Sequence, residues 1–230
     1  MDLGPLNTCF YVNVLLQCRP TGKRWHLTPG GHDGKTFDKA EGIVSQRWTG
    51  RGRAYHFLRR LLLADIPSFA ASFNFSNTTP IVVPGSGTMG PASLYPSTIS
   101  VSGLLGTVTN VNVSLFGLTH TFPDDLDILL VGPTGAKTML MSDAGGSHNI
   151  YNVNLTFSAG TASGLANSSV ISSGTYRPTN HGNSDSFPSP APGGPYGSSL
   201  AVFNGLNPNG TWSLYVNDDQ ICDIGGIRGG

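Results

Sequence analysis

The chain has 230 residues, no net charge, and only 11% charged residues beside 31 glycines and 16 prolines. That composition excludes a coiled coil or long-helix protein and favours short strands joined by many turns. No run of about 18 apolar residues is present, so no membrane span is expected.

Charge is divided unevenly. Residues 1–66 carry ten Lys/Arg against five acids, whereas residues 67–230 carry three Lys/Arg against eight Asp and no Glu. Such a swing marks a boundary. The second part has too few cations for a phosphate-binding surface, so nucleic acid is not expected as its partner. Cys9, Cys18 and Cys222 show neither zinc-ligand spacing nor an even count, so no structural zinc and no disulfide framework are expected.

Residues 1–66 read as a basic leader without a hydrophobic period, expected to be disordered or poorly structured. "CFYVNVLLQC" (9–18) is apolar but carries Asn13 and lacks a basic region before it, unlike a signal peptide. "YHFLRRLLLADIP" (55–67) has the pattern of a short amphipathic helix ended by Pro67.

From about Phe73 the pattern changes. "PIVVPG" (80–85) is a short strand between prolines. "TISVSG" (98–103) alternates with Ile99 and Val101 inward. "VNVSLFGL" (111–118) places Val111, Val113 and Leu115 on one face, and "NVNLTF" (152–157) does the same with Val153, Leu155 and Phe157. "TWSLYV" (211–216) aligns Trp212, Leu214 and Val216. Period-two alternation on short runs is the signature of half-buried antiparallel strands. "DILLVG" (127–132) is continuously apolar and suits a central strand buried on both faces. Together these strands predict a β-sandwich or jelly roll. Residues 174–199, with five prolines and no apolar period, read as a long surface excursion.

"GSGTMG" (85–90) fits a glycine-rich dinucleotide motif on paper, but no helix pattern follows it, so a glycine turn is the reading. No nucleophile elbow is present, and His120, His148 and His181 have no local partners that single out a triad. The stretch "HTFPDDLDILLVGPTG" (120–135) holds Asp124, Asp125 and Asp127 at a strand start, with alternation placing Asp125 and Asp127 on one face. Neighbouring carboxylates without a cation between them have three outcomes. One carboxyl keeps a proton, all are solvated, or a Ca²⁺ is bound. Asp143, Asp218 and Asp219 also fall at strand ends. If a cation binds, the candidate ligands are Asp124, Asp125, Asp127, Asp143, Asp218 and Asp219, and calcium is the ion expected; otherwise the cluster is a solvated or structural strand entry.

"LTHTFPDDLDILLVGPTGAKTMLMSDAGG" (118–146), "NPNGTWSLYVNDD" (207–219) and the entry stretch "FNFSNTTPIVVP" (73–84) together resemble the P domain, or P/Homo B domain, of proprotein convertases, in its bacterial form. The resemblance spans about residues 72–226. It implies a jelly-roll β-sandwich over residues 67–230 and a secreted or cell-surface location. It also implies a non-catalytic role beside a subtilisin-like serine endopeptidase in proteolysis, or within a multidomain surface protein. No catalytic residue carries over, because the family's protease triad lies in a separate domain. The expected partner is a subtilisin-like catalytic domain or a cell-surface ligand. Family members end with a further strand after the "GG", so the chain is expected to lack its last core strand. The alternative is a free-standing carbohydrate- or protein-binding jelly roll, for which Tyr151, Tyr176, Phe187 and Tyr196 are the aromatic candidates.

Overall fold

The computed structural model describes residues 10–18, 37–40, 43–46, 69–85, 88–182 and 184–228. These divide into two units, one made of residues 1–18 and 69–230, the other of residues 19–68. In the second unit, β2 (Phe37–Ala40) and β3 (Ile43–Gln46) pair as an antiparallel hairpin. The proposed helix at 55–67 lies outside the described residues.

Among its described residues the larger unit is all-β apart from two short 3₁₀ turns, Pro123–Asp125 and Leu200–Phe203. Its strands are β1 (Phe10–Cys18), β4 (Phe69–Asn77), β5 (Ile81–Val82), β6 (Gly90–Pro91), β7 (Ser97–Val101), β8 (Thr107–His120), β9 (Leu126–Val131), β10 (Lys137–Ser142), β11 (Ile150–Ser158), β12 (Gly174–Tyr176), β13 (Thr179–Asn180), β14 (Gly210–Asp218) and β15 (Gly225–Ile227). They form two mixed sheets. One has the order β12-β11-β8-β1-β4, with β15 bridging β8 and β5. The other has the order β13-β10-β9-β14-β6, with β7 also on β14.

Alternation decides which side chains meet. Val111, Val113, Leu115, Val153, Leu155 and Phe157 from the first sheet share one buried core with Ile99, Ile128, Leu130, Trp212, Leu214 and Val216 from the second. Trp212 is almost fully enclosed, lies against Phe203 with ring centroids 4.9 Å apart, and donates its indole N–H to the Pro208 carbonyl at 3.0 Å. The ring thus buries a large apolar surface while its one polar group is satisfied.

One boundary differs from the sequence reading. Residues 1–66 were expected to stand apart from the sandwich, yet β1 lies between β4 and β8, antiparallel to both. Phe10, Val12 and Val14 are fully buried in the core. The apolar stretch is a strand because its period of two puts those three side chains on one face, with Asn13 on the other. At the other end, Gly225–Ile227 adds β15 beside β8, and Ile227 is buried.

The long segment expected as a surface excursion is pinned to the sheet. Phe187 packs on the outer face of the second sheet with Leu129, Met139 and Tyr215. Three tyrosine hydroxyls donate to alternate proline carbonyls of this strap: Tyr95 to Pro188 at 2.9 Å, Tyr215 to Pro190 at 3.4 Å, and Tyr196 to Pro192 at 2.9 Å. The continuously apolar β9 is accounted for: Ile128 and Leu130 face the core, and Leu129 faces the strap.

Candidate functional site

The strand at the acidic stretch starts later than alternation suggests. Pro123 opens a 3₁₀ turn over Pro123–Asp125, and β9 begins at Leu126. Proline suits a first-turn position because its missing N–H is not needed there. Asp125 therefore does not share a strand face with Asp127. Asp127 lies on the strap side with Leu129 and is 4% exposed.

Topology then gathers the acids. β14 pairs with β9 so that Asn217 stands opposite Asp127. β13 runs parallel to β10 with Asn180 beside Ser142. These pairings bring the ends of β9, β10 and β14 and the start of the strap to one place. Each of the eight aspartates of residues 67–230 interacts electrostatically with at least one other.

They form two neighbouring groups. In the first, Asp127 feels Asp185, Asp219 and Asp143. The Ser142 hydroxyl is 2.6 Å from Asp185 and 3.0 Å from Asp143, and it also meets Asp127. A hydroxyl has one proton to donate, so it cannot satisfy three carboxylates at once. The Asn180 amide donates to the other Asp185 oxygen at 2.6 Å. The amide oxygens of Asn180 and Asn217 are buried without a hydrogen-bond partner. Asp143 holds a left-handed backbone (φ 48°), which aspartate tolerates better than most residues. A Cβ at Gly182 would collide with the Asp143 carboxylate, so the strap passes close to that side chain and any larger residue there would push it aside.

In the second group, Asp125 and Asp223 share a side-chain hydrogen bond, and Asp218 lies nearby. Asp223 also accepts from the Thr121 hydroxyl at 3.0 Å. His120 and Asp218 are fully buried, with Nε2 and Oδ2 3.5 Å apart. His120 Nδ1 accepts the Phe122 N–H at 3.3 Å. The ring proton is therefore on Nε2, facing the carboxylate. Asp124 contributes a buried oxygen without a partner and acts electrostatically on Asp219.

Burial dominates the proton affinities. It pushes Asp127 up to about 8, with Asp185, Asp219 and Asp143 adding to the rise and the Ser142 hydroxyl opposing it. Burial, the Asp223 hydrogen bond and the neighbouring carboxylates push Asp125 up to about 7. Asp218 and Asp219 are raised chiefly by burial as well. Among the described residues the basic side chain beside these carboxylates is His120, whose Nε2 and Asp218 Oδ2 are buried and make no well-formed hydrogen bond, and no Lys or Arg pairs with them. Among the described residues no group of three or more His, Cys, Asp or Glu is placed so that it could hold a metal ion.

Of the six expected ligands, Asp127, Asp143 and Asp219 fall in the first group, Asp125 and Asp218 in the second, and Asp124 near Asp219. Asp185 and Asp223 were missed. Both sit in turn-rich segments where no local pattern signals convergence. The histidines are otherwise engaged: His148 Nδ1 contacts the Gly145 carbonyl and His181 Nε2 the Leu165 carbonyl, each at 3.0 Å. The aromatic candidates do not form a platform. Phe187 is buried against Tyr196, Tyr176 donates to the Ser172 carbonyl, and Tyr151 alone is strongly exposed, at 83%. After the glycine-rich stretch, Gly90 and Pro91 form β6 on β14 and not the start of a helix. Among the described residues no helix is long and apolar enough to cross a membrane.

No protein-family model, no curated protein and no solved structure matches the chain.

Proposed function

We propose that this chain is a non-catalytic β-sandwich module of the P-domain kind, with jelly-roll connections. In this reading it is secreted or displayed at the cell surface and acts beside a subtilisin-like serine endopeptidase or within a multidomain surface protein. The observation that carries the reading is where the resembling stretches fall. "FNFSNTTPIVVP" spans β4 and β5, "DDLDILLVGPTG" spans β9 and its turn, and "NGTWSLYVNDD" is β14. β9 and β14 are paired along their length, from Ser213–Val131 to Asp218–Leu126. The "DDLD" and "NDD" stretches, 90 positions apart, thus meet at one sheet end, as one functional corner requires. A binding or stabilising role is supported by the acidic corner's being built from the ends of paired strands and the strap.

The test is reconstitution. The purified chain is mixed with a subtilisin-like catalytic domain from the same source, expressed without any sandwich module. Co-elution and a lengthened half-life of peptidase activity at elevated temperature are expected. Absence of both overturns the reading. So does peptide hydrolysis by the chain alone that a single serine substitution abolishes.

A further inference from the structure

We propose that the strap-side end of the β9–β14 pair is a calcium site, in which Asp127, Asp143, Asp185 and Asp219 supply carboxylate oxygens and Asn217 its amide oxygen. This inference stands without the protease-module reading. It differs from the sequence expectation by admitting Asp185 and Asn217, and by leaving Asp125 and Asp218 to the neighbouring group.

Two independent observations carry it. The first is charge. The Ser142 hydroxyl lies within hydrogen-bond distance of both Asp143 and Asp185, Asp127 and Asp219 are close enough to interact electrostatically with both, and among the described residues no Lys or Arg pairs with them. The second is Asn217. Its side chain is 4% exposed, and its amide oxygen lacks a partner. It sits directly opposite Asp127 in the antiparallel pair, so both side chains project from the same face into the same group. A buried, unpartnered acceptor beside carboxylates is costly unless a cation or donor meets it.

The ligand chemistry selects the ion. Every candidate donor is an oxygen, which excludes the soft, sulfur- and imidazole-bound metals. Calcium accepts six to eight oxygens at about 2.3–2.6 Å in irregular geometry, including amide oxygens. Magnesium demands a tighter octahedron and keeps its waters. Ligands arriving from β9, the end of β10, the strap and the end of β14 suit the larger ion. As placed in the structure these side chains do not form a coordination shell, so calcium binding requires the carboxylates to move together around the ion. Because Asp185 belongs to the strap, calcium also fastens the strap to the sheet edge.

The experiment is isothermal titration of Ca²⁺ into the full chain after chelator treatment, at neutral pH and fixed ionic strength. One saturable site is expected, with Mg²⁺ at least tenfold weaker. Asp185→Asn and Asn217→Ala should each weaken calcium binding at least tenfold. Asp223→Asn, in the neighbouring group, should change it less than twofold. Asp185 is only partly buried and Asn preserves its shape, so that variant is expected to fold even where Asp127→Asn does not. If the chelated chain is unfolded, calcium is added until the far-UV spectrum recovers, and Asp185→Asn must shift the midpoint tenfold. No saturable calcium effect overturns the site. So does wild-type affinity in Asp185→Asn, or an equal loss in Asp223→Asn.

Discussion

Two neighbouring positions on one sheet face make opposite uses of burial. On the strap side of β9 and β14, Leu129 stands opposite Tyr215, and the next pair on that face is Asp127 opposite Asn217. Both pairs are enclosed. The first is closed by Phe187 and by Tyr95, whose ring meets Tyr215 edge-on at 5.0 Å, and the tyrosine hydroxyls are satisfied by strap carbonyls. The second is closed by further acids, and its Asn217 oxygen has no partner. Apolar burial stabilises without further help, whereas a buried carboxylate needs a proton, a donor or a cation. The same strap therefore serves as a hydrophobic cover at one point and as a charged clasp a few residues away.

The largest effect should come from the core that both positions rest on. Trp212→Ala removes a fully enclosed ring and should cost about 3–5 kcal/mol, read by chemical denaturation. A stability unchanged by this substitution would mean that the strand pair does not depend on its core side.

Calcium removal tests the charged half of the comparison. A hundredfold excess of Ca²⁺ over Kd should stabilise the chain by about 2.7 kcal/mol relative to chelator, seen as a raised Tm at constant ionic strength. In chelator a pH dependence should appear with a definite sign. Asp127 is raised to about 8 in the folded chain, above its unfolded value of about 3.9. The folded state then holds a proton that the unfolded state has released. Stability is fully present below about pH 4 and falls as pH rises toward 8. A rise in stability over that window would contradict the environment assigned to Asp127.

Phe187→Ala tests the apolar half. Loss of its burial should cost about 1.5–3 kcal/mol and make residues 181–199 the first site of limited proteolysis. If cleavage there stays unchanged, the strap is held by its hydrogen bonds and not by the aromatic packing. The smallest effect belongs to Tyr151→Ala. That exposed ring should change stability by less than about 0.5 kcal/mol, measured by the same denaturation. A larger loss would place Tyr151 in a contact of its own.

The strands and their inward faces were legible in the sequence because alternation is a local property. Ile99, Val113, Leu155 and Trp212 each lie two residues from another apolar side chain, and every one is buried. The same rule describes β1, where Phe10, Val12 and Val14 alternate, but in the sequence the stretch is weighed only as a signal peptide and grouped with the basic, turn-rich segment that follows it. Only pairing with β4 and β8 placed it in the sheet. The acids show the limit of local pattern more sharply. Asp127 and Asp219 could be suspected from strand ends, yet Asp185 lies in a proline-rich segment without a period. What brings it to Asp127 is β13 pairing with β10 and Phe187 anchoring the strap on Leu129. The sequence by itself determined the β class, the core stripe and the excess of aspartate over cations. Tertiary structure decided which aspartates meet, because convergence depends on strand register and on where a strap docks, and neither leaves a period in the chain.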